Sequence, residues 1–99
     1  MLTGEKLTDA QVADGIGRLF GWQLKDGRIV KLYKFKGFVE AMEFAHRVAT
    51  LAAEADHHPD ILIQYSKVTL TLSTHSAGGL TDKDFDLAKR IDAAEKPAG

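Results

Sequence analysis

The hydrophobic and polar positions of this chain alternate between a helical period and a strand period. A first helix is predicted from position 8, where a Thr-x-x-Gln capping pattern precedes apolar residues at helical spacing, Val12, Ile16 and Leu19. Gly15 and Gly17 each weaken an isolated helix by up to about 1 kcal/mol relative to alanine, so its second half must depend on tertiary packing. We expect this helix to end at Gly21.

The longest helix is predicted over positions 38–55, which contain no glycine or proline. One apolar stripe runs along it at helical spacing, formed by Phe38, Ala41, Met42, Ala45, Val48, Ala49, Ala52 and Ala55. Phe44 and Leu51 lie beside this stripe and widen it. Two interpretations stay open: the helix is deeply buried in its own chain, or it also packs on another subunit.

Two hairpins flank the long helix. Positions 22–25 and 28–36 are predicted as strands joined by Asp26-Gly27, a dipeptide typical of a type I′ turn. Positions 61–65 and 67–73 form the second hairpin, whose apolar residues Val68, Leu70 and Leu72 alternate with threonines and serine. If this strand runs straight to His75, the imidazole lies on the polar face, unless a bulge intervenes.

A last helix is predicted to begin with a Thr81-x-x-Asp84 cap and to extend to about Glu95, after which the tail frays. The order is helix, hairpin, helix, hairpin, helix. This order favours an α+β domain in which a four-stranded antiparallel sheet is covered on one face by three helices. We expect a single domain over residues 1–99, ordered from about 5 to 95.

The composition of the chain also limits the number of domains and the kinds of partner that can be expected. The chain has 99 residues, 44% of them hydrophobic and 27% charged, which is typical of one folded domain. The formal net charge of -1 gives no global reason to expect a nucleic acid partner, although a local basic run exists, formed by Arg28, Lys31, Lys34 and Lys36. Such lysines also protect strand edges from pairing. No signal peptide or membrane span is indicated, so a cytoplasmic location is expected.

The candidate chemistry lies in three histidines, because the chain has no cysteine that could act as nucleophile or metal ligand. His57 and His58 precede Pro59 at the end of the long helix, and His75 follows the second hairpin. Imidazole gives and takes protons near neutral pH, which suggests acid-base catalysis. Two alternatives stay open: the histidines only fill a loop, or they bind a metal together with Asp56, Asp60 and Asp84.

The spacing of these residues resembles the signature of the pterin-4a-carbinolamine dehydratase family. His-His-Pro is followed after five residues by Tyr65, after nine more by His75 in the string Leu72-Ser73-Thr74-His75, and after eight more by Asp84. Gly21-Trp22, Phe35-x-x-Phe38 and Leu87-Ala88 extend the resemblance over about residues 8–92. It implies the same α+β fold, a homodimer or homotetramer, and no metal or organic cofactor.

The family resemblance implies a lyase that removes water from 4a-hydroxytetrahydropterin to give quinonoid dihydropterin, which recycles the cofactor of aromatic amino acid hydroxylases. The hypothesis assigns proton transfer to His57 and His75, without deciding from the sequence which is the acid, and orientation of the pterin or its leaving hydroxyl to His58. The other residues implied in substrate binding are Asp56, Pro59, Tyr65, Thr74 and Asp84.

The chain departs from the family pattern at Ala53, four residues before His57, where an acidic or other polar residue is usual. Glu54 lies one position later, about 100 degrees further around the helix, so it does not obviously replace that residue. The resemblance also implies an alternative function, because some members of the family are non-catalytic dimerisation or assembly partners on the same fold. The retained histidine motif favours an enzyme.

Overall fold

The computed structural model describes residues 4–95, and these form three helices and four strands. In chain order they are α1 (Asp9–Gly17), β1 (Gln23–Lys25), β2 (Arg28–Lys34), α2 (Phe38–Ala55), β3 (Asp60–Gln64), β4 (Lys67–Leu72) and α3 (Asp82–Glu95). A 3₁₀ turn, His75–Ala77, lies between β4 and α3. The α-ββ-α-ββ-α order confirms the predicted α+β class. The expectation that the tail frays concerns residues 96–99, which lie outside the described part.

The four strands form one antiparallel sheet in the order β1-β2-β4-β3. Ile29 of β2 faces Leu72 of β4, and Asp60 of β3 faces Thr71 of β4. The register therefore places three connections at one end of the sheet. These are the turn between β1 and β2, the loop after β4, and the loop that leads from α2 into β3.

The two hairpin turns differ in chemistry. Asp26 and Gly27 have φ angles of 53° and 76°, and positive φ at both central residues confirms the predicted type I′ turn. Tyr65 at the second turn also has a positive φ of 55°. Because Gln64 faces Lys67, this second turn lies at the opposite end of the sheet from the three converging connections.

The hydrophobic core lies between the helices and one face of the sheet. Val68, Leu70 and Leu72 are fully buried on that face, which confirms the predicted alternation in β4. Core residues from the other elements include Ile29, Tyr33, Ala41, Phe44, Val48, Leu80, Leu87, Ala88 and Ile91. The core thus fixes both α2 and α3 against the central strands.

The buried face of α2 matches the predicted stripe in part, since Ala41, Ala45, Val48 and Ala52 are buried. Phe44, expected beside the stripe, is fully buried and packs its ring 4.7 Å from Tyr33 and 4.9 Å from Phe35. Phe38 and Met42, expected within the stripe, are 50% and 42% exposed. The buried arc is therefore shifted from the predicted stripe toward Phe44, and part of the apolar surface of α2 faces outward.

The first helix begins as predicted and ends earlier. The Thr8 hydroxyl accepts from the Gln11 N–H at 3.2 Å, and the Gln11 side chain accepts from the Thr8 N–H at 2.9 Å. The helix ends at Gly17 rather than Gly21. A Cβ on Gly15 would lie 2.7 Å from the ring of Phe85 in α3, so the glycine permits a close approach of α1 and α3. This packing accounts for a residue that weakens the isolated helix.

A partly buried hydrogen-bond cluster around Asp92 fixes α3 to the first hairpin. The carboxylate of Asp92 accepts hydrogen bonds from the indole N–H of Trp22, the ammonium of Lys31 and the hydroxyl of Tyr33. Lys31 therefore points into the core side of the sheet and is not part of an exposed basic run. Burial and the bond to Asp92 raise the pKa of Tyr33 far above its ordinary value, so the phenol remains the donor.

Candidate active site

The end of α2 turns His57 toward the core. Asp56 closes the helix with a left-handed backbone, φ 51°, and the His57 N–H donates to the carbonyl of Ala52 at 3.0 Å. The His57 side chain is only 11% exposed. His58, the next residue, is exposed, so the two adjacent histidines have different surroundings.

Asp84 in the first turn of α3 is fully buried and joins three segments of the chain. Its Oδ1 lies 2.6 Å from Nε2 of His57. Its Oδ2 accepts from the hydroxyl of Thr74 at 2.8 Å and from the N–H of Thr81 at 3.0 Å. The hydroxyls of Thr74 and Thr81 lie 2.8 Å apart. The carboxylate thus connects the loop after α2, the loop after β4 and the start of α3.

The direction of these hydrogen bonds follows from the acceptor character of a carboxylate. Because Asp84 only accepts when ionised, Nε2 of His57 must carry a proton. The Thr74 hydroxyl donates to Asp84, so it accepts from the hydroxyl of Thr81. In the neutral imidazole, Nδ1 is then the nitrogen that can take a further proton. The geometry therefore orients His57 as a proton acceptor through Nδ1.

His75 does not extend β4. The strand ends at Leu72, Thr74 pairs with Gly79 through hydrogen bonds of 3.0 and 3.4 Å, and His75 opens the 3₁₀ turn. The condition for placing His75 by strand alternation is therefore not met, because the chain folds back on itself at this point. His75 is exposed and directly follows Thr74, which contacts Asp84.

A cavity of about 410 Å³ adjoins the loop that carries His75. It lies between this loop, the turn of the first hairpin and the segment before α1. Its lining includes Lys6, Leu7, Arg28, Ser73, Thr74 and His75. The cavity is large enough for a small heterocyclic molecule.

The other predicted site residues fall into two groups. Asp56 and Pro59 lie beside His57 at the same end of the sheet, where Asp56 is exposed and Pro59 half-buried. Tyr65 is 72% exposed in the turn at the opposite end. Within one chain, Tyr65 therefore lies apart from the cluster around Asp84, and its role in substrate binding stays a prediction.

Known proteins resemble this chain over most of its length. The model of a family described as pterin 4 alpha carbinolamine dehydratase matches residues 5–94. The chain belongs to this family. A relative from Roseiflexus castenholzii is 51% identical over 87% of this chain and 92% of its own, and one from Sulfolobus acidocaldarius is 44% identical over 87% and 94%. Both carry the name pterin-4-alpha-carbinolamine dehydratase as an unproven assignment.

Solved structures give the same fold. A crystal structure described as a transcriptional coactivator/pterin dehydratase from Brucella melitensis has a TM-score of 0.89 and 34% identity, covering 93% of this chain and all of that one. A pterin dehydratase-like protein described as a RuBisCO assembly factor in the alpha-carboxysome has a TM-score of 0.63 over 78% of this chain and 89% of its own. At 24% identity, the second likeness shows the fold alone.

Two further findings concern the part of the chain from residue 4 to 95. No cluster of three or more histidine and acidic side chains there is arranged to hold a metal ion. No helix there is long and apolar enough to cross a membrane. The cytoplasmic location stays a prediction.

Three residues of the site were not predicted from the sequence. The hydroxyl of Thr81 belongs to the Asp84 cluster, although its spacing had indicated only a helix cap. Lys6 and Arg28 line the cavity beside His75, and nothing in their local sequence indicates this. Arg28 reaches it because the turn of the first hairpin lies at this end of the sheet, and Lys6 because the neighbouring N–H of Leu7 binds the carbonyl of Leu80.

Proposed function

We propose that this protein removes water from a 4a-hydroxytetrahydropterin and thereby recycles the tetrahydropterin cofactor of aromatic amino acid hydroxylases. The observation that carries the proposal is the buried contact of His57 with Asp84, next to the loop of His75, in a member of this family. The fold alone does not decide the function, since one fold can serve several functions.

The dehydration needs one base and one acid. The C4a–O bond breaks, the N5–H bond breaks, and a C4a=N5 double bond forms as water leaves. We assign the N5 proton to Nδ1 of His57, because Asp84 holds the proton on Nε2 and favours the imidazolium that results. His75 protonates the departing hydroxyl, and His58 orients the pterin. No cofactor takes part in this proposal.

The test is the dehydration rate of freshly generated 4a-hydroxytetrahydropterin, followed by absorbance. We expect His57→Ala and His75→Ala each to lower kcat by roughly 100-fold or more, the usual range for loss of a general acid or base. His46→Ala is the matched control, because His46 is an exposed histidine on α2. A variant that keeps full turnover would remove its histidine from the mechanism.

The alternative, a non-catalytic partner protein, gives a different result. It predicts that the wild-type protein does not accelerate dehydration and that a pulldown recovers a stoichiometric partner. Dehydratase activity that disappears in His57→Ala would exclude a purely non-catalytic role.

We also propose that the chain forms a homodimer or homotetramer. The supporting observation is the outward apolar surface of α2, where Phe38, Val39 and Met42 are 50%, 64% and 42% exposed. The edge strand β3 adds the exposed side chains of Ile61 and Leu62. Light scattering on the purified protein measures the number of subunits.

A further inference from the structure

The segment before α1 lies along the stretch of chain that connects His75 to Asp84. We call residues 4–7 the N-terminal strap. The N–H of Leu7 donates to the carbonyl of Leu80 at 2.8 Å. Leu80 lies between His75 and Asp84 in the chain, so the strap contacts the very stretch that connects these two residues.

The side chain of Lys6 in the strap passes over Gly79. Its aliphatic stem crosses the face of Gly79, where a Cβ would lie 2.9 Å from Cε and 3.3 Å from Cγ of Lys6. Gly79 does not have a positive φ. The backbone of Gly79 is accessible to any residue, so the effect of a methyl group at this position would be to displace the flexible end of the lysine stem.

The contact continues from Gly79 to His75. Gly79 and Thr74 exchange two backbone hydrogen bonds, and these close the loop that contains His75. The Thr74 side chain in turn binds Asp84. Lys6 and Leu7 also line the cavity beside His75. A displacement of the Lys6 stem would therefore loosen the pairing of Gly79 with Thr74 and the position of the imidazole.

We infer that Lys6 is a positioning residue, which holds the His75 loop through the packing of its stem on Gly79. This inference rests on the proposed function as far as turnover is concerned. A misplacement of about 1 Å at a reacting group can lower turnover by up to about 100-fold. We expect Lys6→Ala to lower kcat by about tenfold, with a smaller change in KM.

The first arm of the test separates the stem from the charge. Lys6→Met keeps an unbranched apolar stem of the same length up to Cε and removes the ammonium, so it should restore most of the kcat that Lys6→Ala loses. Lys67→Ala, which removes an exposed lysine at the other end of the sheet, is the control for net charge. If Lys6→Met is as slow as Lys6→Ala, the charge matters and the inference is wrong.

The second arm is a double-mutant cycle with Gly79→Ala. The added methyl group should displace Lys6 and lower kcat as Lys6→Ala does. In the Lys6→Ala background, the same substitution should have no further effect, because the stem is already absent. Independent, additive losses would overturn the inference.

The third arm does not depend on activity. Amide hydrogen exchange of Thr74, whose N–H binds Gly79, should be faster in Lys6→Ala and Gly79→Ala than in the wild type and Lys6→Met. Unchanged exchange would overturn the inference even if turnover fell. A wild-type protein without dehydratase activity would instead overturn the proposed function. The exchange data would still test whether Lys6 holds the His75 loop.

Discussion

Replacing Asp84 with asparagine changes the proton position on His57 with little change in shape. The N–H of Thr81 can only donate, so the carbonyl oxygen of the new amide must take the place of Oδ2. The NH₂ group then replaces Oδ1 and faces Nε2 of His57, 2.6 Å away in the wild type. Because that NH₂ group also only donates, Nε2 must become an acceptor, and the proton moves to Nδ1.

The size of the effect follows from the number of bonds that change. The contacts to Thr74, Thr81 and His57 keep their geometry but all change from charge-assisted to neutral, which should lower the free energy of unfolding by about 1–3 kcal/mol. Turnover should fall far more, because Nδ1 is no longer free to accept a proton. A comparable Asp-to-Asn change in a serine protease triad lowers kcat by about 10⁴, and we expect roughly 10³–10⁴ here.

Three measurements check this prediction of a tautomer switch. Absorbance gives kcat, denaturant unfolding gives the free energy, and ¹⁵N–¹H correlation spectra show which imidazole nitrogen of His57 carries the proton. Asp86→Asn is the control, since it makes the same chemical change on α3 at a partly exposed side chain paired with Arg90. An Asp84→Asn protein that turns over within a few-fold of the wild type, with the proton on Nδ1, would refute the reasoning.

The remaining predictions concern the scaffold. Gly15→Ala should lower the free energy of unfolding by about 1–2 kcal/mol, because overlap with the Phe85 ring exceeds the gain in helix propensity. In Gly17→Ala no atom lies within 4 Å of the added methyl group, so this change should raise the free energy of unfolding by up to about 1 kcal/mol. If urea unfolding showed the same increase in stability for both variants, the packing argument for Gly15 would be wrong. The pKa of Tyr33 is raised only in the folded state. Above the ordinary pKa of 10.0, the phenol therefore loses its proton in the unfolded state and keeps it in the folded state, where it is hydrogen-bonded to Asp92. Stability should therefore fall above about pH 10 by up to about 1.4 kcal/mol per pH unit. This component should be missing from Tyr33→Phe, and an identical alkaline slope in both proteins would show that Tyr33 is not its source.

Local patterns in the sequence predicted most of the secondary structure. The bounds of α2 at Phe38 and Ala55 agree with the prediction, because glycine or proline is absent between them. Asp26-Gly27 predicted its turn because few other dipeptides adopt positive φ at both positions. The end of α1 and the buried face of α2 could not be predicted in the same way. Both depend on the distance and direction of neighbouring elements, as the burial of Phe44 in place of Met42 demonstrates.

Three of the predicted site residues lie together in the structure, but their contacts could not be predicted from the sequence. The resemblance selected His57, Thr74 and Asp84, which the structure brings together. Spacing alone could not show that Asp84 binds Nε2 of His57, since these residues lie 27 positions apart. The loop of His75 was also beyond prediction, because its shape depends on pairing with Gly79 and on the strap that covers it.

The chemistry of the Asp84 cluster argues for catalysis over a purely structural role. A helix cap needs only the bond between Asp84 and Thr81, which would be equally stable with an apolar residue in place of His57. A buried pair of ionisable groups is often no more stabilising than apolar side chains of the same volume. What His57 adds is an imidazole with a fixed proton on Nε2 and an oriented Nδ1. Asp92 holds the other end of α3 through Trp22 and Tyr33, so the carboxylate of Asp84 is positioned before any substrate binds.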